Sequence, residues 1–222
     1  MRTDRIRLGV LVSGRGSNLQ AILDSIDEKM VAADVVVVIS DKAEAYALER
    51  ARKEGIAAVY LDPKGHPSRE EYDRVLTERL KEHRVDLVAL AGYMRLVSPV
   101  FLDAFPMKVM NVHPSLLPSF PGLNPQQKAI DYGVRFSGCT VHFVDSSVDN
   151  GPIIIQAAVP VFDDDTEESL SRRILVQEHR IYPEAIQLFA EGRLCVQGRR
   201  VVIRGERSSQ EDQRAVLVNP PV

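Results

Sequence analysis

Asn111 and His113 are the residues whose types and spacing point most directly to chemistry. They end a predicted strand on either side of Val112, and because side chains alternate along a strand, both point to the same side. Ligands of open α/β sheets bind at the carboxyl ends of strands, where these two residues lie. An amide donor beside an imidazole can stabilise a developing oxyanion and move a proton. On its own, the His113–Pro114 step is equally typical of a structural turn.

Asp149 is the candidate partner of His113. A carboxylate beside an imidazole fixes its tautomer and favours its cationic form. The Asp-Asn-Gly sequence at residues 149–151 is also that of an ordinary hairpin turn, and spacing alone would favour the turn. His142 lies within a predicted strand, and we interpret it as a buried core histidine outside the catalytic set. No group of His, Cys, Asp or Glu residues has the spacing of metal ligands, so the sequence predicts a site without a metal.

A glycine-containing turn, residues 13–18, separates the first predicted strand from the first helix. Unpaired backbone N–H groups and the helix dipole favour an anion at such a helix start. A dinucleotide fingerprint would require a third glycine three residues after Gly16, where Leu19 stands. The turn therefore predicts a phosphate monoester site. The structural alternative is a tight turn capped by Ser17 or Asn18.

Glu178 interrupts an apolar helical stripe near the C-terminal end. The stripe consists of Ile174, Ile181, Ala185 and Leu188, spaced as one helix face requires. An unpaired carboxylate facing a core is costly. Glu178 therefore either reaches the wet edge of the stripe or accepts hydrogen bonds from a bound hydroxyl or amine, and we favour the bound ligand.

The elements that position these groups follow an α/β pattern. Short β-branched runs alternate with helical segments, which predicts a mostly parallel central sheet flanked by helices. Strands are predicted at residues 6–12, 34–40, 57–61, 86–91 and 108–111. Helices are predicted at about residues 17–29, 43–54 and 126–132, and another begins at Ser68. A last helix, capped by Asp165, is predicted to run to about residue 191 with a kink at Pro183. Extended runs at 139–144 and 152–161 and a hairpin at 194–204 add antiparallel strands.

Composition limits the classes of protein that the chain can belong to. Its 222 residues are 45% hydrophobic, as in an ordinary globular protein, and predict one domain over residues 1–205 with a flexible tail at 206–222. A net charge of −3 argues against a nucleic-acid binder. Two distant cysteines suggest thiols in a reducing compartment, and neither a secretory signal nor a membrane-length apolar segment is found. We expect a soluble, cytoplasmic protein.

Together, these segments resemble the phosphoribosylglycinamide formyltransferase family, the folate-dependent glycinamide ribonucleotide transformylases of purine biosynthesis, over about residues 6–195. Residues 12–20 are similar to the family's phosphate loop and residues 90–95 to its folate-side segment. The most specific match is residues 111–118, continued by residues 141–152 and 177–179. The resemblance implies a Rossmann-like formyltransferase fold and an enzyme that transfers the formyl group of 10-formyltetrahydrofolate to the amine of glycinamide ribonucleotide (GAR).

The resemblance also implies a role for each candidate residue. Asn111, His113 and Asp149 are the catalytic residues, with Asn111 and protonated His113 stabilising a tetrahedral intermediate while Asp149 favours the imidazolium. GAR is implied to contact Gly16, Ser17, Asn18 and Glu178. The folate is implied to contact Arg69, Met94, Arg95, Leu96, Val97, Asn111, Ser146, Ser147, Val148 and Asp149, with Arg69 near its glutamate tail. The partners are then two small molecules, without nucleic acid or membrane, bound by a monomer or homodimer.

Three other functions compete with this interpretation. Formyltetrahydrofolate deformylase shares an Asn–His–Asp centre but uses water as the acceptor, usually carries an N-terminal regulatory domain and needs no phosphate turn. Methionyl-tRNA formyltransferase needs an RNA-binding domain and a basic surface. A ligand-binding module would lack the proton-handling groups. One departure from the family pattern is Gln126, which stands where the family commonly has a histidine near the cleft. We therefore expect this departure to affect how the loop positions the substrate more than it affects activity itself.

Overall fold

The computed structural model describes residues 5–205 of the chain, which form one mixed sheet with helices on both faces. The strands are β1 (Ile6–Val12), β2 (Ala33–Ser40), β3 (Ala57–Tyr60), β4 (Leu87–Leu90), β5 (Val109–His113), β6 (Phe136–Phe143), β7 (Ile153–Pro160), β8 (Leu194–Gln197) and β9 (Arg200–Ile203). The α-helices are α1 (Ser17–Asp27), α2 (Tyr46–Lys53), α3 (Arg69–Glu82), α4 (Pro99–Ala104), α5 (Pro125–Tyr132) and α6 (Glu167–Ala190).

The sheet confirms the predicted fold class. Its strand order is β3-β2-β1-β4-β5-β6-β7-β9-β8. The first five strands of the sequence pair in parallel, whereas β6 and β7 each pair antiparallel with the strand before them. The predicted terminal hairpin is β8–β9, and β9 joins β7 through the single pair Ile153–Arg200.

Two apolar layers hold the helices against the sheet. Helices α1, α2, α5 and α6 pack on one face, and α3 and α4 pack on the other. The central strand β1 contributes to both layers, because Val10 and Val12 face α1 and α6 while Leu11 faces α3. A strand covered on both sides reads as a continuous apolar run, and this explains why the predicted bounds of β1 agree with the structure.

Helix α4 and strand β6 differ from the sequence prediction because their signals are weak, and helix α2 begins at Tyr46, three residues after its predicted start. Helix α4 is not predicted; it has six residues, of which only Phe101 is buried, too short for a helical period to show. Strand β6 begins at Phe136, three residues before the predicted start at Cys139. Gly138 suggests a loop, but it lies where β7 approaches so closely that a Cβ would stand 2.0 Å from the carbonyl oxygen of Ala157.

The cap of α6 is also corrected by one residue. Thr166, not Asp165, is the N-cap: its side chain accepts from the Ser169 N–H, and the Ser169 hydroxyl accepts from the Thr166 N–H in return. The Asp165 carboxylate instead binds Arg173, at 2.8 and 2.9 Å from its two terminal nitrogens. Pro183 lies inside α6, which runs through it as one element. The predicted flexible tail, residues 206–222, lies outside the described residues, and the one-domain assignment of residues 1–205 stays a prediction.

Candidate active site

The candidate site lies where the strand order reverses. Strands β1 and β4 are neighbours, but the chain continues from β1 toward β2 and β3 on one side and from β4 toward β5 on the other. Loops that leave the carboxyl ends of two such strands diverge and open a crevice between them. Ser13 follows β1, residues 91–98 follow β4, and Asn111 and His113 end β5, so these segments meet at one edge of the sheet.

His113 is buried between two hydrogen-bond acceptors. Its Nδ1 lies 3.3 Å from Oδ2 of Asp149, and its Nε2 lies 3.0 Å from the backbone oxygen of Phe120. A carboxylate and a carbonyl accept but do not donate, so both ring nitrogens are placed to donate. This arrangement suits the imidazolium form.

Asp149 is fixed by its own backbone and by the loop that follows β5. The residue has a φ of 49°, a left-handed conformation that Asp adopts more readily than most residues. The backbone N–H of Gly122 donates to its Oδ2 at 2.8 Å. The carboxylate therefore links residues 145–149 to the loop around Gly122 and brings both toward His113.

Asn111 is oriented by a histidine that the sequence interpretation left outside the site. Because β6 runs antiparallel to β5, His142 stands opposite Asn111, and its Nε2 lies 3.3 Å from the amide nitrogen Nδ2. Nδ1 of His142 faces the backbone oxygen of Phe143 at 2.9 Å, so the ring donates from Nδ1 and accepts at Nε2. Burial lowers the pKa of His142, which favours this neutral form. His142 is buried, as predicted, and it also contacts the site.

Two adjoining cavities open beside these groups. The larger, of about 540 Å³, is bordered by His113 and residues 122–125. The smaller, of about 210 Å³, is bordered by Arg69 and residues 145–149. Asn111 and Asp149 line both. All residues predicted to contact the folate line one cavity or both: Arg69, Met94, Arg95, Leu96, Val97, Asn111, Ser146, Ser147, Val148 and Asp149.

The loop with the unusual glutamine contributes a different residue to the larger cavity. Asn124 lines that cavity and has a left-handed φ of 53° at the start of α5. Gln126 lies within the first turn of the helix. Asn124 thus lines the same cavity as His113, whereas Gln126 is not among the residues that line it.

The glycine-containing turn, residues 13–18, is shaped by its contact with α2. Gly16 is the N-cap of α1 with a φ of 72°, and a Cβ on it would stand 2.6 Å from the Cβ of Ala47. The carbonyl oxygens of Gly14 and Arg15 accept from the Ala47 N–H at 3.1 Å and from Nε of Arg50 at 3.0 Å. The carbonyls of the turn face α2, and the N–H groups at the start of α1 precede the first intrahelical bond, an arrangement that suits an anion.

Glu178 and Asn18, two of the residues predicted to contact GAR, meet between α1 and α6. Nδ2 of Asn18 donates to Oε2 of Glu178 at 2.8 Å. Burial raises the pKa of the Glu178 carboxyl, and the bond from Asn18 opposes that rise. Oδ1 of Asn18 is buried with no hydrogen-bond partner among the described residues. The pair therefore combines a carboxylate that forms no ion pair within residues 5–205 and an unsatisfied amide oxygen, both suited to hydroxyl or amine donors.

Residues 5–205 contain neither a metal-binding cluster nor a membrane-spanning helix. No group of three or more His, Cys, Asp or Glu side chains there is arranged to hold a metal ion. Within the same residues, no helix is both long enough and apolar enough to cross a membrane.

The sequence of the chain is similar to those of known proteins. The model of a family described as formyl transferase matches residues 6–186. Phosphoribosylglycinamide formyltransferase of Escherichia coli is 44% identical over 198 residues, which cover 89% of this chain and 93% of that protein. The trifunctional purine biosynthetic protein adenosine-3 of Drosophila pseudoobscura pseudoobscura is 50% identical over 192 residues, but the match spans only 14% of its length.

Solved structures give the same result for the fold. Glycinamide ribonucleotide transformylase 1 from Symbiobacterium toebii superposes with a TM-score of 0.89 at 60% identity, covering 90% of this chain and 94% of that one. Phosphoribosylglycinamide formyltransferase from Anaplasma phagocytophilum superposes with a TM-score of 0.85 at 41% identity, covering 92% and 97% of the two chains.

Proposed function

The chain belongs to the formyl transferase family, and we propose that it transfers the formyl group of 10-formyltetrahydrofolate to the primary amine of GAR, giving formyl-GAR and tetrahydrofolate in purine (IMP) biosynthesis. The observation that carries this proposal is the meeting, at one edge of the sheet, of the Asn111–His113–Asp149 cluster with a phosphate turn. The cluster suits acyl transfer, and the turn suits a nucleotide acceptor.

The reaction is a direct acyl transfer. The amine of GAR attacks the formyl carbon, a C–N bond forms, and the carbonyl oxygen becomes an oxyanion. The Asn111 amide offers an N–H donor to that charge, and the His113 imidazolium, whose two N–H groups face Asp149 and the Phe120 carbonyl, stabilises it electrostatically. The bond from the formyl carbon to N10 of the folate then breaks as N10 takes up a proton released by the amine.

Asp149 supports both stages of this reaction. Its carboxylate stabilises positive charge on His113 across 3.3 Å from Oδ2 to Nδ1. The proton of the amine reaches N10 through His113 or through a water bound to Asp149, and either route uses the same carboxylate. The conversion requires no redox change, because the formyl group only exchanges one nitrogen for another.

The two substrates occupy different parts of the crevice. We place the phosphate of GAR at Gly16, Ser17 and Asn18, where Glu178 accepts from its ribose or glycinamide end. The pterin of the folate lies in the cavities bordered by residues 94–97 and 145–149. Arg69 lines the smaller cavity at the start of α3, where a guanidinium suits the glutamate carboxylates.

The test is release of tetrahydrofolate from 10-formyltetrahydrofolate, measured with and without GAR. The proposal predicts that release requires GAR and saturates with it. Release at the same rate without GAR would identify a deformylase, which uses water as the acceptor. Binding of both substrates without release would identify a binding module and also contradict the proposal.

A further inference from the structure

Ser13 links the loop that follows β1 to the loop that follows β4. Its backbone N–H donates to the carbonyl oxygen of Gly92 at 3.1 Å. Its hydroxyl oxygen accepts from the backbone N–H of Met94 at 2.9 Å. Ser13 is therefore bonded through both its main chain and its side chain to residues 92–94, and it is the first residue of the turn formed by residues 13–18.

The direction of the Ser13 hydroxyl is set by a buried carboxylate. The hydroxyl donates to Oδ1 of Asp41 at 2.6 Å, and Asp41, which follows β2, is 5% exposed. A carboxylate only accepts, so the single hydroxyl proton is directed to Asp41 and a lone pair is left for the Met94 N–H. A charge-assisted bond of this length is among the stronger kinds of hydrogen bond in proteins.

Each end of this link belongs to a segment that meets a different substrate under the proposed function. On one side, Ser13 is followed by Gly14, whose carbonyl is held by α2, and by the N–H groups proposed to bind phosphate. On the other side, Met94 begins residues 94–97, which line the cavities proposed for the folate. A shift of Ser13 would move both segments.

We propose that Ser13 and Asp41 are positioning residues that couple the two substrate sites. Binding of GAR phosphate fixes the turn, the turn fixes Ser13, and Ser13 holds Met94 in the position that the folate requires. Each substrate then raises the affinity for the other by the same factor, because coupling between two sites is reciprocal. This inference rests on the proposed function.

The experiment is calorimetric titration of GAR in the absence and in the presence of saturating tetrahydrofolate, which carries no formyl group and cannot react. Wild-type protein is expected to bind GAR at least about fivefold more tightly when tetrahydrofolate is present, the lower end of typical coupling. Ser13→Ala should bring this ratio close to one. Asp41→Asn keeps an oxygen acceptor but loses the charge, so it should lower the ratio less.

The matched control is Ser25→Ala, which also removes a partly buried hydroxyl, one that donates to the Ala21 carbonyl at 2.8 Å within α1. It should keep the wild-type ratio. A wild-type ratio of one, an unchanged ratio in Ser13→Ala, or an equal loss in Ser25→Ala would overturn the coupling. If Ser13→Ala does not fold, an unchanged ratio in Asp41→Asn would overturn it. Wild-type protein that binds neither compound would contradict the proposed function instead.

Discussion

At the scale of single residues, the hydrogen-bond partners of His113 determine what its imidazole can do. A carboxylate oxygen at one ring nitrogen and a carbonyl oxygen at the other leave the imidazole with two acceptors. A cationic imidazole can stabilise an oxyanion, whereas a neutral one with both nitrogens facing acceptors would leave one contact unfavourable. Removal of the Asp149 charge should therefore affect the chemical step more than the fold.

Asp149→Asn should lower kcat by about 10²- to 10⁴-fold, the range of a lost general acid–base contribution. The amide keeps an oxygen for the Gly122 N–H but no longer stabilises positive charge on His113. His113→Ala should lower kcat to a similar extent. Steady-state kinetics measure this, and Asp163→Asn, a change at an exposed residue paired with Arg135, is the control. Near wild-type turnover in either active-site variant would remove the residue from the mechanism.

Glu178, at the same scale, is a group suited to binding whose burial lowers the free energy of unfolding. Burial raises the pKa of its carboxyl above the ordinary 4.5, so the folded protein holds this proton more tightly than the unfolded chain does. Between the unfolded and the folded pKa the native state binds more protons, and the free energy of unfolding falls as pH rises through that window. Above the folded pKa, a buried anion with an amide as its partner remains.

Glu178→Gln should stabilise the protein and weaken substrate binding. The neutral amide can still accept from Asn18, so the Tm should rise, and the gain should be larger at pH 8 than at pH 5. GAR affinity should fall about tenfold or more, as expected for loss of hydrogen bonds to a charged group. Thermal unfolding across this pH range and GAR titration measure the two effects. Glu184→Gln, on the exposed side of α6 near Arg180, is the control.

A gain in Tm that shrinks as pH rises would contradict the assigned cause. So would a Glu178→Gln protein that is less stable than the wild type at pH 8.

At the scale of elements, the geometry of the turn between β1 and α1 depends on one of its two glycines, Gly16. Gly16 must adopt a positive φ and must also let α2 approach, whereas Gly14 faces open space. The sequence predicts the turn and its anion from its two glycines. It does not reveal which glycine is essential, because the contact with Ala47 joins residues far apart in the chain.

Gly16→Ala should therefore be far more damaging than Gly14→Ala. The left-handed backbone costs a non-glycine residue about 1–2 kcal/mol, and the added Cβ would also collide with Ala47. We expect a lower free energy of unfolding and a higher KM for GAR in Gly16→Ala, and near wild-type values for both in Gly14→Ala. Urea denaturation and kinetics check this pair, and equal effects of the two changes would contradict the assigned geometry.

The start of α3 places Arg69 beside the smaller cavity. Ser68 caps the helix by accepting from the Glu71 N–H, while the Glu71 carboxylate faces Nε of Arg74 at 3.4 Å. Arg69→Met should raise the KM for 10-formyltetrahydrofolate about tenfold, consistent with loss of charge-assisted bonds. It should not change the KM for an analogue without the glutamate. Arg74→Met, on the same helix, is the control. An equal effect of Arg69→Met on the KM for 10-formyltetrahydrofolate and on the KM for the analogue would contradict a contact between Arg69 and the glutamate tail.

The sequence predicts features of the site that depend on neighbouring residues, but not contacts between residues that are far apart in the chain. Asn111 and His113 are predicted to share one side by local alternation, and the structure places them so. The contact between His142 and Asn111 depends on the register of two antiparallel strands, which no local pattern contains. The bond between Asn18 and Glu178 likewise joins residues 160 positions apart. Each of the two residues is predicted from its own neighbourhood, but their pairing is not.

At the scale of the whole molecule, the strand order explains why these groups meet. The reversal between β1 and β4 opens a crevice whose walls come from the ends of β1, β4 and β5. The chain carries a net charge of −3, so the anionic substrates of the proposed function would have to bind at local features, a helix start and individual guanidinium groups, and not at a basic surface. The match to the E. coli relative, which covers 93% of that protein, agrees with a formyltransferase built on this single sheet.

The most direct test of the central claim is to follow the formyl carbon itself. Wild-type protein in excess is mixed with GAR and 10-formyltetrahydrofolate labelled with carbon-13 in the formyl group, and the products of a single turnover are identified by NMR. The account predicts that the label appears as a formamide carbon on the ribonucleotide, and that Asp149→Asn slows its appearance by the factor found for kcat. Label that appears instead as free formate, at the same rate with or without GAR, would contradict it.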